Sequence, residues 1–135
     1  MHTKNIITFK QYCTNIWKNK KNIEYLLNLQ NNHNINVIFA LWCAWKQEIN
    51  SLSNTTDIKN CLKLCNDFEK QNILEIRKYR QSLNKQDLIY KETLQKEIDS
   101  EFKLISQLEK TSLSTGNVNT VTEFKNITKL DLILQ

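Results

Sequence analysis

Apolar residues recur at three- and four-residue spacing along most of the chain, the mark of helices that bury one face. Phe9, Tyr12, Cys13, Ile16 and Trp17 predict a first helix over residues 8–18, with Thr8 as its cap. Ile23, Leu26, Leu27 and Gln30 predict a second over about 22–31, with Asn22 at its N-cap. The polar break Asn31-Asn32-His33-Asn34 comes next. Asparagine tolerates positive φ better than other non-glycine residues, so Asn34 is expected to make the turn. Val37 to Trp45 then runs without a polar side chain. A helix apolar all round is a buried helix, so residues 36–50, capped by Asn36, are the expected centre of the fold. The run is far short of the roughly 20 residues that a bilayer span requires.

Ile58, Cys61, Leu62, Cys65, Phe68, Ile76, Tyr79 and Leu83 predict a long helix over about 57–83, capped near Asp57 and bent or broken where the stripe weakens around Asn72. The link Asn84-Lys85-Gln86-Asp87 leads to a further helix reaching about residue 109, striped by Tyr90, Leu94, Ile98, Phe102, Ile105 and Leu108. So short a link makes the last two long helices an antiparallel hairpin. The expected fold class is all-α, a small bundle of about five helices around the buried central one, filling residues 1–110. Residues 111–120 are expected to be a flexible linker. Residues 121–135 form a tail that Val121, Phe124 and Ile127 suit to a short helix and Leu130 to Leu134 to a strand.

Composition narrows the function. The chain has 135 residues, one glycine and no proline, which disfavours β sandwiches, dinucleotide-binding folds and phosphate-cradling loops. Its many asparagines, lysines and isoleucines are what AT-rich coding produces, so the net charge of +5 says little about partners. The densest basic run, Lys18, Lys20 and Lys21, lacks the glycine and aromatic alternation of an RNA-binding strand. Binding to RNA or the ribosome through distributed lysines is therefore the alternative, and it predicts a steep loss of affinity with salt. The opening segment MHTKNIITFK has no apolar core of secretory length, so a cytoplasmic location, four reduced buried cysteines (Cys13, Cys43, Cys61, Cys65) and unused glycosylation patterns at Asn54 and Asn126 are expected.

The candidate chemistry lies in the two arginines. They stand three apart, in Arg77-Lys78-Tyr79-Arg80, in a chain whose other basic residues are all lysine. A guanidinium pairs bidentately with a carboxylate or phosphate, which lysine cannot do. At about 100° per residue, Arg80 points inward and Arg77 lies on the shoulder of its helix. In the last long helix Glu101 falls inside the stripe and Glu97 on its edge. Hairpin geometry makes Arg77 with Glu97 the preferred ion pair and leaves Glu101 to find another partner. Catalysis is the third reading: no Glu-x-x-His spacing supports a di-iron site, and Cys43, which His33 would have to activate, lies inside the apolar run.

The chain resembles the small helical bacterial proteins of domain of unknown function 2390, found mainly in gammaproteobacteria, over roughly residues 9–108. The segment from Leu26 to Val37 is similar to that family's Cys-Leu-x-Leu-Gln-Asp-x-x-Gly-x-Asp-Val-Asn stretch. Phe9, Tyr12, Trp17 and Ile23 match its opening apolar positions. Arg77 and Arg80 match its Leu-Arg-x-Leu-Arg element, and Glu97 and Glu101 its Glu-Leu-x-x-x-Glu element. Asn31, Asn34, Asn36 and Ile38 replace the family's aspartate, glycine, aspartate and asparagine, and the proline before the arginines is missing. The resemblance implies a helical fold, a bacterial cytosolic setting and a set of residues, but no activity. The expected site is a polar groove lined by Gln30, His33, Arg77, Arg80, Glu97 and Glu101. It positions a protein partner or a small anionic ligand in a non-enzymatic binding or adaptor module, with no cofactor or metal and no membrane contact.

Overall fold

The structure, a computed structural model, describes residues 6–111 and 115–135. Seven helices occupy them: α1 Phe9–Ile16, α2 Lys20–His33, α3 Val37–Glu48, α4 Thr55–Asn72, α5 Leu74–Gln81, α6 Leu88–Thr111 and α7 Thr120–Thr128. The fold is all-α, and none of these helices is long and apolar enough to cross a membrane. Each start has a physical cause. Thr8 and Gln11 form a reciprocal capping box on α1. Asn36 Oδ1 accepts the Phe39 N–H at 2.8 Å to start α3, and Asn34 takes the left-handed conformation, φ 58°, in the turn before it. Two caps differ from the expected ones: Asn19 begins α2 and Asn54 begins α4. Asn22 is instead buried, exchanging hydrogen bonds of 2.8 and 2.9 Å with the Gln135 backbone.

Helix α3 is buried from Val37 through Lys46 and touches α1, α2, α4, α6 and α7. Phe9 of α1 meets Trp45 at a ring distance of 5.2 Å, and the Trp45 indole N–H donates to the Ile7 carbonyl at 2.9 Å. Lys46, which ends the apolar run, is itself buried, its ammonium near the rings of Trp42 and Trp45. Burial pulls its pKa below the ordinary lysine value.

The long helix expected over 57–83 is interrupted at Ile73, where φ −121° and ψ −43° depart from helical values. The interruption falls beside Asn72, where the apolar stripe thins. The reading of residues 111–120 as a linker extends over 112–114, which lie outside the described residues. From Thr115 onward the chain is anchored rather than loose. Ser53 and Val118 exchange backbone hydrogen bonds of 2.9 and 2.8 Å, and the Thr120 hydroxyl donates to the Cys43 carbonyl at 2.6 Å. Phe124 is fully buried against Phe39. Beyond α7 the chain forms no strand, and it runs back to α2, where the Tyr25 hydroxyl contacts the Asp131 carbonyl. Gly116 permits this docking: a β-carbon there would collide with the Ser53 carbonyl group and the Asn54 nitrogen, both backbone. Gly116→Ala is therefore expected to lower unfolding free energy by about 1–3 kcal/mol, measurable by denaturant titration. An unchanged midpoint would mean that the 115–119 segment is not seated on the 53–54 loop.

Candidate functional site

The arginines and acids expected from sequence meet in one network; the expected Arg77–Glu97 ion pair is present but long, and the hydrogen bonds are made by other pairs. Arg80 holds Glu97, with Nε at 3.0 Å and 3.2 Å from its two carboxylate oxygens and Nη2 at 3.0 Å. Arg77, the partner expected for Glu97, is 3.7 Å from it and instead donates through Nη1 to Glu69 at 2.8 Å. Glu101 lies 3.7 Å from Arg77 Nη2, with no hydrogen bond to either arginine. The later arginine meets the earlier glutamate, as helices joined by the tight turn after Gln81 require.

The inward and shoulder positions are also exchanged. Arg77 is 9% exposed and Glu97 4%, whereas Arg80 and Glu101 are only partly buried. The sequence projection assumes one straight helix through residues 65–83. The interruption at Ile73 resets the phase of α5, and α5 covers the edge of α6 on which Glu97 stands. Glu69 is the residue that sequence reasoning missed. It carries on the four-residue line of Cys61 and Cys65 down the buried face of α4, and that spacing is the signal that marks it. On a straight helix it would stand roughly 12 Å along the axis from Arg77. Their contact is made across the break. Asn36 completes the arrangement, its Nδ2 donating to Glu69 Oε2 at 2.7 Å and to the Cys65 carbonyl at 3.2 Å. One side chain thus caps α3 and positions an acid of the network.

The network forms one wall of a cavity of about 550 Å³. Gln30, Arg77, Arg80, Glu97 and Glu101 all line it. His33 does not: it is exposed at the last turn of α2, and the structure does not bring it to the other five. The rest of the lining is largely apolar, with Val37, Ile38 and Leu41 of α3 and Leu94, Ile98 and Ile105 of α6. The predicted stripe of α6 is therefore not all core. Leu94 and Ile98 are partly exposed and Phe102 is 37% exposed, because they face the cavity. The buried residues of α6 are Thr93, Glu97, Leu104, Ile105 and Leu108, of which only the last two belong to the predicted stripe. At the cavity mouth Trp17 and Leu27 are also substantially exposed.

Electrostatically the site is crowded with acid. Burial alone works against the charge of Arg80, but its hydrogen bonds to Glu97 and to the Tyr90 hydroxyl hold its pKa above the ordinary arginine value. Burial, reinforced by the Glu97 and Glu69 charges and opposed by Arg77 and Arg80, lifts the Glu101 carboxyl from 4.5 to about 7. The folded chain thus keeps this proton between pH 4.5 and 7 while the unfolded chain loses it, so the stability it confers is full below pH 4.5 and lost as pH rises to 7. Glu101→Gln is expected to match the parent near pH 4.5 and to melt a few degrees higher at pH 8, by circular dichroism. Parallel melting curves across that range would remove the raised pKa.

Among the described residues, no group of three or more His, Cys, Asp or Glu side chains is placed to hold a metal ion. The four cysteines are unpaired and buried. Burial raises the Cys43 thiol far above its ordinary value, so this residue is poorly suited to act as a nucleophile. No curated protein and no solved structure matches the chain. A family model described as protein of unknown function (DUF2390) matches residues 8–108. That interval contains α1 to α5, most of α6, both arginines and all three acids of the network, and the chain belongs to this family.

Proposed function

We propose that the protein is a non-enzymatic binding module whose cavity, lined by residues of α1 to α6, takes a small, largely apolar molecule beside the Arg/Glu wall. The observation that carries this reading is the α6 stripe. Leu94, Ile98 and Phe102 follow the spacing of a core face, yet they stay partly exposed around a space of about 550 Å³. A fold gains about 25 cal/mol for each Å² of apolar surface removed from water, so a stripe left uncovered favours an occupant that covers it. The volume lies within the range of ligand sites, roughly 300–1,000 Å³. Exposed Trp17 and Leu27 at the mouth extend the apolar path outward. The bacterial cytosolic setting belongs to the same proposal, and four unpaired thiols suit a reducing compartment.

The neutral dye Nile red tests it. Saturable one-to-one binding with blue-shifted emission is expected, and Ile98→Trp, which narrows the cavity, should weaken it at unchanged helix content. Absence of saturable binding, or binding indifferent to Ile98→Trp, would overturn the assignment.

A further inference from the structure

We infer that the cavity selects an organic cation: a primary amine whose apolar body lies along Leu94 and Ile98 and whose ammonium meets Glu101. This rests on the ligand-binding reading above and adds to it the charge of the ligand. Each guanidinium already holds one carboxylate by hydrogen bond, although the buried Nε of Arg77 has no hydrogen-bond partner. Arg77 is hydrogen-bonded to Glu69 at 2.8 Å and Arg80 to Glu97 at 3.0 and 3.2 Å. An entering anion would meet three carboxylates around two guanidiniums, and displacing either hydrogen-bonded carboxylate would leave it buried and unpaired, which is costly. Glu101 is different. Its nearest cationic atom is 3.7 Å away, it makes no hydrogen bond with either arginine, and its side chain is 31% exposed on the cavity wall. Three carboxylates face two guanidiniums in the network, so one negative charge lacks a close counterpart. Lys18 also borders the cavity, but it is exposed to water at the mouth.

The aromatic residues at the mouth suit the same ligand class. Trp17 is 43% exposed, and the ring of Phe102 already carries the Lys10 ammonium at 5.4 Å. Ring faces attract ammonium groups as these lose water. The charges facing Glu101 are Glu97 from its own helix, Arg77 and Arg80 from α5 and Glu69 from α4. With its carboxyl at about 7, Glu101 is mostly protonated at pH 6 and mostly ionised at pH 8. An amine that stays charged throughout should bind up to about tenfold more tightly at pH 8 than at pH 6, releasing a proton from Glu101 below pH 7.

Calorimetric titration of the full chain with n-hexylamine, n-hexanol and sodium n-hexanoate at pH 6 and pH 8 tests this. The expected order at pH 8 is amine first, by about fivefold or more over the alcohol, and hexanoate last. Non-specific attraction to a chain of net charge +5 would give the opposite order of the two ions. In Glu101→Gln the amine should fall to the level of the alcohol and lose its pH dependence. Equal affinity for amine and alcohol, tightest binding of hexanoate, or an amine preference that survives Glu101→Gln would each overturn the cation assignment. Hexanol or Nile red binding alongside any of these results would leave the cavity reading standing. Failure of Nile red and all three probes would remove both.

Discussion

Arg77→Met is expected to lower the unfolding free energy by about 3–5 kcal/mol, because it strands buried carboxylates rather than merely deleting a contact. Arg77 is 9% exposed and lies within 4 Å of Glu69, Glu97 and Glu101. Its Nη1 hydrogen bond to Glu69 is the only one an arginine of the network gives that acid, whereas Glu97 keeps Arg80. The loss should therefore shrink when Glu69→Gln and Glu101→Gln are added, since both remove charge that the methionine variant leaves uncompensated. Urea titrations of the single, double and triple variants at pH 8 provide the measurement. A methionine variant as stable as the parent would show that the network is open to water.

Phe124→Ala should cost a comparable amount, about 3–5 kcal/mol, by emptying a site that closes the core from outside the family-matched interval. Phe124 is fully buried, its ring 6.1 Å from that of Phe39, which is itself fully buried on α3. Domains of this size hold only about 5–15 kcal/mol in total, so the change removes a large fraction of the stability. A loss below about 1 kcal/mol would mean that α7 is not docked on α3. The family match ends at residue 108, whereas the chain uses α7 and residues 129–135 to cover α3 and the start of α2. In this member, the tail completes the core.

Several features were legible from residue spacing alone. The nine-residue apolar run could only be a buried helix, since no polar face remained to meet water. Asn36 and Asn34 were marked as cap and left-handed turn by their short side chains at the edges of that run, and the thinning stripe at Asn72 marked the interruption. The restriction of arginine to two positions three apart marks the network, and helical spacing brings Glu97 and Glu101 to it.

Other features depended on three dimensions. The hydrogen bond of Arg77 to Glu69, beside its longer ion pair with Glu97, follows from an interruption that resets the angular phase of α5, and a projection of one straight helix cannot register it. His33, expected in the groove, stands at the end of α2 in solvent. The polar composition of residues 111–120 reads as a tether, and the Ser53–Val118 bridge that anchors its later part joins segments 65 residues apart. Spacing along a helix determines which residues share a face, and this chain's spacing determined its helices and their apolar sides. Whether such a face is buried by another helix or left lining a cavity depends on how the helices are set against each other, and that is why the Leu94–Ile98 wall became visible only in the folded chain.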